Sequence, residues 1–268
     1  MPGINKEILH SVVRLRMVFV DDALNVKNVG ATGFWLQTNQ GNKIIVTNRH
    51  NLDAKLKLGS ATTFELKKFE VELREHRDTQ YFPGRNYFEV DLSDNPVRFM
   101  DLDDCAIIAN PQFDQTTDGY GYTLFREEDI ADSDFFKDKL QVMDTVSFFG
   151  YPENWYDQKW VFPTSRTAFI ASLPLLDFTH VDVITGRTCL VSGMSFGGNS
   201  GSPIMSHRKS FAPPDGKENA EYAPAKLIGI MSGHWWDEAP VNGMFAHSGL
   251  SYFTKSTALL NLIRRLGL

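Results

Sequence analysis

Short runs of β-forming residues, broken by turn chemistry, fill this chain and restrict it to an all-β plan. Val12 to Val20 is rich in valine and partly alternates, which predicts a strand. Asn28 to Gln37 predicts a second, and Lys43 to Thr47 returns from it across the turn residues Asn39-Gln40-Gly41-Asn42. Phe64 to Leu73 alternates with one slip that reads as a bulge, and residues 97–109 predict another strand. Strands resume over Val142 to Phe149, Thr167 to Ser172, Thr188 to Ser192, Ser202 to Ser206 and Lys226 to Ser232. Strands this short, at this spacing, suit closed barrels or a sandwich. The polar stretch Pro111 to Lys139 reads as a linker, and Ser210 to Pro224 as an exposed loop. Near the end, Leu259, Leu260, Leu262, Ile263 and Leu266 stripe one face of a helix over Thr257 to Leu266, with Ser256 as its cap.

One segment fits neither strand nor helix. Gly197-Gly198-Asn199-Ser200-Gly201-Ser202-Pro203 is built to turn tightly, aim backbone N–H groups inward and present Ser200. A serine hydroxyl is a weak nucleophile unless a base takes its proton. Upstream, the apolar run Ile44-Ile45-Val46-Thr47 leads into His50. Between them, Asp101, Asp103 and Asp104 stand at the mouth of Cys105-Ala106-Ile107-Ile108. Base, acid and nucleophile therefore occur in the order His, Asp, Ser. Asp104 is the first choice for the acid because Ala106 leaves room beneath the histidine, with Asp103 and Asp101 behind it.

Composition narrows the chemistry further. The formal net charge of -6 over 268 residues disfavours nucleic acid. No apolar run approaches the ~20 residues of a membrane span, and residues 1–7 lack an apolar signal core. Two cysteines, Cys105 and Cys189, are too few for a disulfide framework and predict buried thiols in a cytoplasmic protein. The histidines and cysteines show no metal-ligand spacing, so neither metal nor cofactor is expected. The second glycine is not followed by Lys-Ser/Thr, which excludes a P-loop. Trp155, Trp160, Trp235 and Trp236 are read as core aromatics ahead of a binding surface.

These motifs resemble the trypsin-like serine peptidases, and among them the bacterial HtrA-like branch without a PDZ domain. Val46-Thr47-Asn48-Arg49-His50 is similar to the family's histidine motif, and Asp104-Cys105-Ala106-Ile107 to its aspartate motif. Gly198-Asn199-Ser200-Gly201-Ser202-Pro203 is similar to the serine motif, Leu227 to Ser232 to the late pocket strand, and Gly150-Tyr151-Pro152 to a Gly-x-Pro segment of bacterial members. The resemblance implies two antiparallel six-stranded β-barrels of chymotrypsin type with a C-terminal α-helix. Residues 1–125 would carry His50 and Asp104, and residues 126–268 would carry Ser200.

By the same resemblance, Ser200 attacks a peptide carbonyl, His50 moves the proton and Asp104 orients His50. Gly198 and Ser200 supply the oxyanion N–H groups. Met194, Ser195, Phe196, Ser232, Gly233 and His234 line the pocket for P1, the residue whose carbonyl is attacked. With Met194 as its floor, that pocket favours an apolar or small P1. Asn199, where secreted relatives keep an aspartate, argues against activation by amino-terminal cleavage. His234 is expected to narrow or close the pocket. The implied activity is a serine endopeptidase acting on protein or peptide substrates. The alternative is a silent or partner-activated module that binds peptides, with a regulatory protein partner.

Overall fold

A computed structural model describes residues 8–59, 61–77, 80–81, 86–94, 96–113, 120, 122–153, 155–180, 186–210, 222–238 and 245–268. The first half forms an eight-stranded sheet. Its path runs Asn86–Glu89, Glu65–Leu73, Val12–Val20, Val26–Gln37, Lys43–Thr47, Ala106–Ala109 and Val97–Phe99. Phe125–Arg126 joins off this path, parallel to the end of Val26–Gln37. The second half closes into a six-stranded antiparallel barrel, in the order Thr145–Gly150, Thr164–Ile170, Thr188–Ser192, Phe245–Lys255, Leu227–Glu238 and Pro203–Ser206. The helix Ser256–Leu266 ends the chain. The all-β plan with two sheet systems and a closing helix matches the chymotrypsin-like double barrel the motifs implied, although among the described residues only the second sheet closes. Its first sheet carries eight strands, one of them paired in parallel, where six antiparallel strands were expected.

Strand alternation explains where the cores sit. Successive side chains of a strand face opposite sides. Thus Trp35 and Ile45 enter the core of the first sheet with Val13, Leu15, Met17, Phe69 and Val71. Their neighbours Phe34, Leu36, Ile44 and Val46 face the other way, into a shared core with Tyr151, Leu227, Leu259, Leu262 and Ile263. The C-terminal helix therefore seals the back of the first sheet against the second barrel. Each of its fully buried leucines contributes about 1.5–3 kcal/mol. A third core, with Val146, Phe148, Cys189, Val191, Ile204 and Phe253, fills the second barrel.

Several local expectations need correction. The strand over 97–109 is two antiparallel strands, because the acidic run Asp101 to Asp104 turns the chain between them. The linker over 111–139 holds a short helix, Ser133–Asp138, capped by Asp132, whose side chain accepts from the Phe135 N–H; residues 114–119 and 121 lie outside the described set. Ser256 is no cap: its hydroxyl donates to the Ala131 carbonyl at 2.6 Å, and Lys255 holds the N-cap position. The long strand Phe245–Lys255 was not foreseen. The loop over 210–224 lies outside the described residues from 211 to 221. Trp155 and Trp236 are exposed, against their reading as core.

Candidate active site

His50 and Asp104 are brought together by strand register. Thr47 pairs with Ala106 across antiparallel strands, so the residue three beyond Thr47 and the residue two before Ala106 leave the sheet at the same end. His50 sits on the 3-10 turn Arg49–Asn51. Its ring Nδ1 lies 2.8 Å from Asp104 Oδ2, and its backbone N–H donates to Asp104 Oδ1 at 2.9 Å. Both carboxylate oxygens thus hold one residue. Asp104 is buried. Burial opposes its charge, but the His50 charge and the hydrogen bonds from His50 outweigh it and hold the carboxyl below the ordinary carboxylate range.

The two other acids are placed elsewhere. Asp103 accepts from the Arg187 backbone N–H at 3.0 Å and from its guanidinium at 2.9 Å. The Asp101 side chain is 92% exposed. Only Asp104 faces the histidine.

Ser200 lies on the glycine turn, and the first sheet holds that turn in place. The Thr32 N–H donates to the Ser200 carbonyl at 2.9 Å, and the Thr32 hydroxyl donates to the Gly198 carbonyl at 2.8 Å. Two glycines make this approach possible. Gly198 has φ +87 and Gly201 φ +93, a region costly for side-chain-bearing residues. A Cβ on Gly198 would stand 2.3 Å from the Tyr151 carbonyl oxygen, and one on Gly201 only 1.8 Å from that of Thr32.

Two further hydrogen bonds orient two N–H groups. The Gly197 carbonyl accepts from the Glu153 N–H at 2.8 Å, and the Asn199 carbonyl from the Ser202 N–H at 3.0 Å. In a planar trans peptide the N–H points opposite to the C=O. The Gly198 and Ser200 N–H groups therefore turn away from these partners. Among the described residues neither donates to another protein atom.

The Ser200 hydroxyl donates to the Ser232 carbonyl at 3.2 Å; no hydrogen bond joins it to His50. Ser232 in turn ties the two halves. Its hydroxyl accepts from Asn48 Nδ2 at 2.9 Å and lies 2.9 Å from the Thr254 hydroxyl, while Asn48 also donates to the Asp104 carbonyl at 2.8 Å. Sequence reading missed Thr32, Asn48, Thr254, Ser251 and His247. Asn48 stood inside the histidine motif and was legible there, whereas Ser251, Thr254 and His247 belong to the unforeseen strand.

The pocket residues converge only in part. Buried Ser195 approaches the Gly233 carbonyl (3.4 Å) and His234 Nδ1 (3.1 Å), and its N–H donates to Ser251 Oγ at 3.2 Å. Phe196 is half-buried, under the Arg166 guanidinium at 4.5 Å. Met194 is 53% exposed, while Ser195 beside it is buried. Both lie beyond the end of the strand Thr188–Ser192. Asn199 is buried with neither polar side-chain atom hydrogen-bonded. Cys105 and Cys189 are free and buried, as expected, and burial pushes the Cys105 thiol well up, with Asp104 and Asp103 adding to the shift.

No known family profile matches the sequence, and no curated protein matches it. Among solved structures, one described as the crystal structure of Deg5 is similar, with a TM-score of 0.47 and 17% identity, over 85% of this chain and 81% of that one.

Proposed function

We propose that this chain is a serine endopeptidase with His50, Asp104 and Ser200 as its triad. The observation that carries the reading is the double grip of the buried Asp104 carboxylate on the backbone N–H and Nδ1 of His50. That grip keeps the Nδ1 hydrogen on the Asp104 side and leaves Nε2 as the basic nitrogen. Ser200 Oγ leaves the Ser232 carbonyl, gives its proton to Nε2 and bonds to the substrate carbonyl carbon. Asp104 stabilises the imidazolium so formed. The Gly198 and Ser200 N–H groups take the developing oxyanion, each donor typically worth about 10²–10³ in rate. The imidazolium then protonates the leaving amine, and water releases the acyl group by the same route.

The fold division follows function in this reading: residues 1–125 supply the base and acid, and residues 126–268 the nucleophile and the P1 pocket. The Gly-x-Pro segment and Asn199 support an HtrA-like bacterial branch. Two free, buried thiols support a reducing, cytoplasmic setting. Among the described residues no helix is long and apolar enough to cross a membrane.

A second reading, a module silent until a regulatory partner engages it, is favoured by one observation. The Ser200 hydroxyl is committed to Ser232 instead of His50. A fluorophosphonate probe separates the two. Labelling of the isolated protein at Ser200, abolished in Ser200→Ala and suppressed in His50→Ala, is the expected result. A folded protein that labels only after addition of a cell fraction supports the partner-activated reading. One that never labels refutes catalysis.

A further inference from the structure

Two histidines meet beside the Ser200 turn. His234, on Leu227–Glu238, and His247, on Phe245–Lys255, stack with ring centroids 4.6 Å apart and planes 22° from parallel. Phe196 lies 6.0 Å from the His247 ring, and Trp236 meets His234 edge-on at 4.6 Å. His234 stands two residues beyond Ser232, whose carbonyl receives the Ser200 hydroxyl. Its Nδ1 is engaged by Ser195, five residues before the nucleophile. The pair therefore occupies the wall that a P1 side chain must meet.

The tautomer of His247 follows from its backbone. The Gly249 N–H donates to His247 Nδ1 at 2.9 Å. A ring nitrogen that accepts carries no hydrogen, so neutral His247 is protonated on Nε2. That Nε2 is buried, outside strict hydrogen-bond geometry but with the Ser195 backbone as its nearest acceptor, whereas His234 Nε2 is buried and makes no hydrogen bond. Buried polar atoms in native proteins are nearly always paired, and a site that leaves one ring nitrogen bare beside a second that is poorly held is poised for a guest that pairs them.

The surroundings fix the chemistry of that guest. Burial lowers the pKa of both rings: His234 falls to about 4, by desolvation first and by His247 second, and His247 is lowered by desolvation against an opposing hydrogen bond to the Ser195 backbone. The Arg166 guanidinium stands over Phe196. Among the described residues no carboxylate pairs with either ring. An acceptor-only group suits such a place. A carboxylate takes the Nε2 hydrogen of His247 outright, and its charge draws a second hydrogen onto His234. An amide would bring two N–H donors where the Ser195 and Ser251 hydroxyls are already hydrogen-bonded. An apolar side chain would leave His234 Nε2 bare.

We propose that His234 and His247 select P1 and that the residue they take is acidic, Glu or Asp, which replaces the apolar P1 suggested by Met194. This assignment rests on the endopeptidase reading of Ser200. The test uses four blocked peptides differing only at P1 (Glu, Gln, Leu, Lys), titrated by fluorescence anisotropy into Ser200→Ala and offered as substrates to the unaltered protein. The Glu peptide is expected to bind at least tenfold tighter than the other three, with kcat/KM in the same order. His247→Phe, which keeps an aromatic ring on the stack, or His234→Gln, should bring the Glu/Leu ratio to near one. A preference for Leu or Lys, or equal binding across the panel, overturns the assignment. Tight binding of the Glu peptide without turnover keeps it and overturns the endopeptidase reading. Turnover with an apolar preference does the reverse. Neither binding nor turnover of any peptide overturns both.

Discussion

Replacing Asp104 by asparagine tests the core of the site with one atom. Oδ1 of Asp104 receives the His50 backbone N–H, and Oδ2 faces Nδ1. The asparagine amide cannot place its NH2 at the first position, where N–H would meet N–H. It must face Nδ1, which then has to accept. The ring hydrogen moves to Nε2, and the base that Ser200 requires is gone. Loss of the correct tautomer in a triad costs ~10⁴ in kcat, which is ~5.4 kcal/mol at ~1.36 kcal/mol per decade. Folding suffers much less, because the carbonyl still receives the backbone N–H; the expected loss is about 1–2 kcal/mol.

The measurement is the rate of fluorophosphonate labelling together with kcat on a cleaved peptide, with urea midpoints for both proteins. Asp103→Asn is the control. Asp103 serves Arg187 and not His50, so its rate should stay within about threefold of the parent while its stability falls. An Asp104→Asn protein within tenfold of the parent, or an Asp103→Asn protein that loses the ~10⁴ instead, refutes the reasoning. Asp104 also sets a sign for pH. Its folded pKa is depressed, so the stability it adds is fully present above the unfolded value of ~3.9 and is lost as pH falls through the folded value.

Two more outcomes follow from the turn and the thiols. Gly201→Ala forces a Cβ to 1.8 Å from the Thr32 carbonyl oxygen at φ +93; the φ alone costs about 1–2 kcal/mol and the clash adds to it. A total above about 3 kcal/mol by urea denaturation, with Ser200 labelling lost, is expected, and a variant of parental stability contradicts the geometry. Cys105 is buried with a raised pKa, so a thiol reagent should leave it untouched in the folded protein and modify it once urea unfolds the chain. Rapid modification under native conditions contradicts this burial.

Much of this was legible because it lies in short, local signals. Val12–Val20 and Lys43–Thr47 have the bounds that their valine-rich and isoleucine-rich runs indicate, since a half-buried strand writes itself into alternation and a buried one into an unbroken apolar run. The glycine turn was legible for a related reason: at Gly198 and Gly201 a backbone angle dictates the residue. Phe245–Lys255 was not. Its residues His247, Ser248, Gly249, Ser251 and Thr254 are small or polar and mimic a loop. They are polar because the strand borders the site, where Ser251 serves Ser195 and Thr254 serves Ser232. Burial around Ser195 was hard to read as well. Near Ser195 the sequence offers Met194 and Phe196 as attractive apolar residues, and only the fold shows that the inward side chain is the serine.

The cross-links between the halves give the division of labour a physical basis. Thr32 accepts the Tyr151 N–H at 2.9 Å while donating to Gly198. Arg74, buried in the first half, donates to the Tyr151 hydroxyl at 2.7 Å and the Val161 carbonyl at 2.9 Å. Asn48 spans Asp104 and Ser232. The Thr32, Arg74 and Asn48–Ser232 bonds join residues of the first half to residues of the second, and Thr32 reaches the Ser200 turn itself. Buried, multiply bonded groups of this kind have few alternative partners, so sliding one half against the other breaks several bonds at once. The relation of His50 to Ser200 is therefore set by the same contacts that dock the halves. Loosening that docking, for example by Thr32→Val, should lower kcat before it lowers the fraction of folded protein, because a shift too small to unfold the chain is large on the scale of a proton transfer.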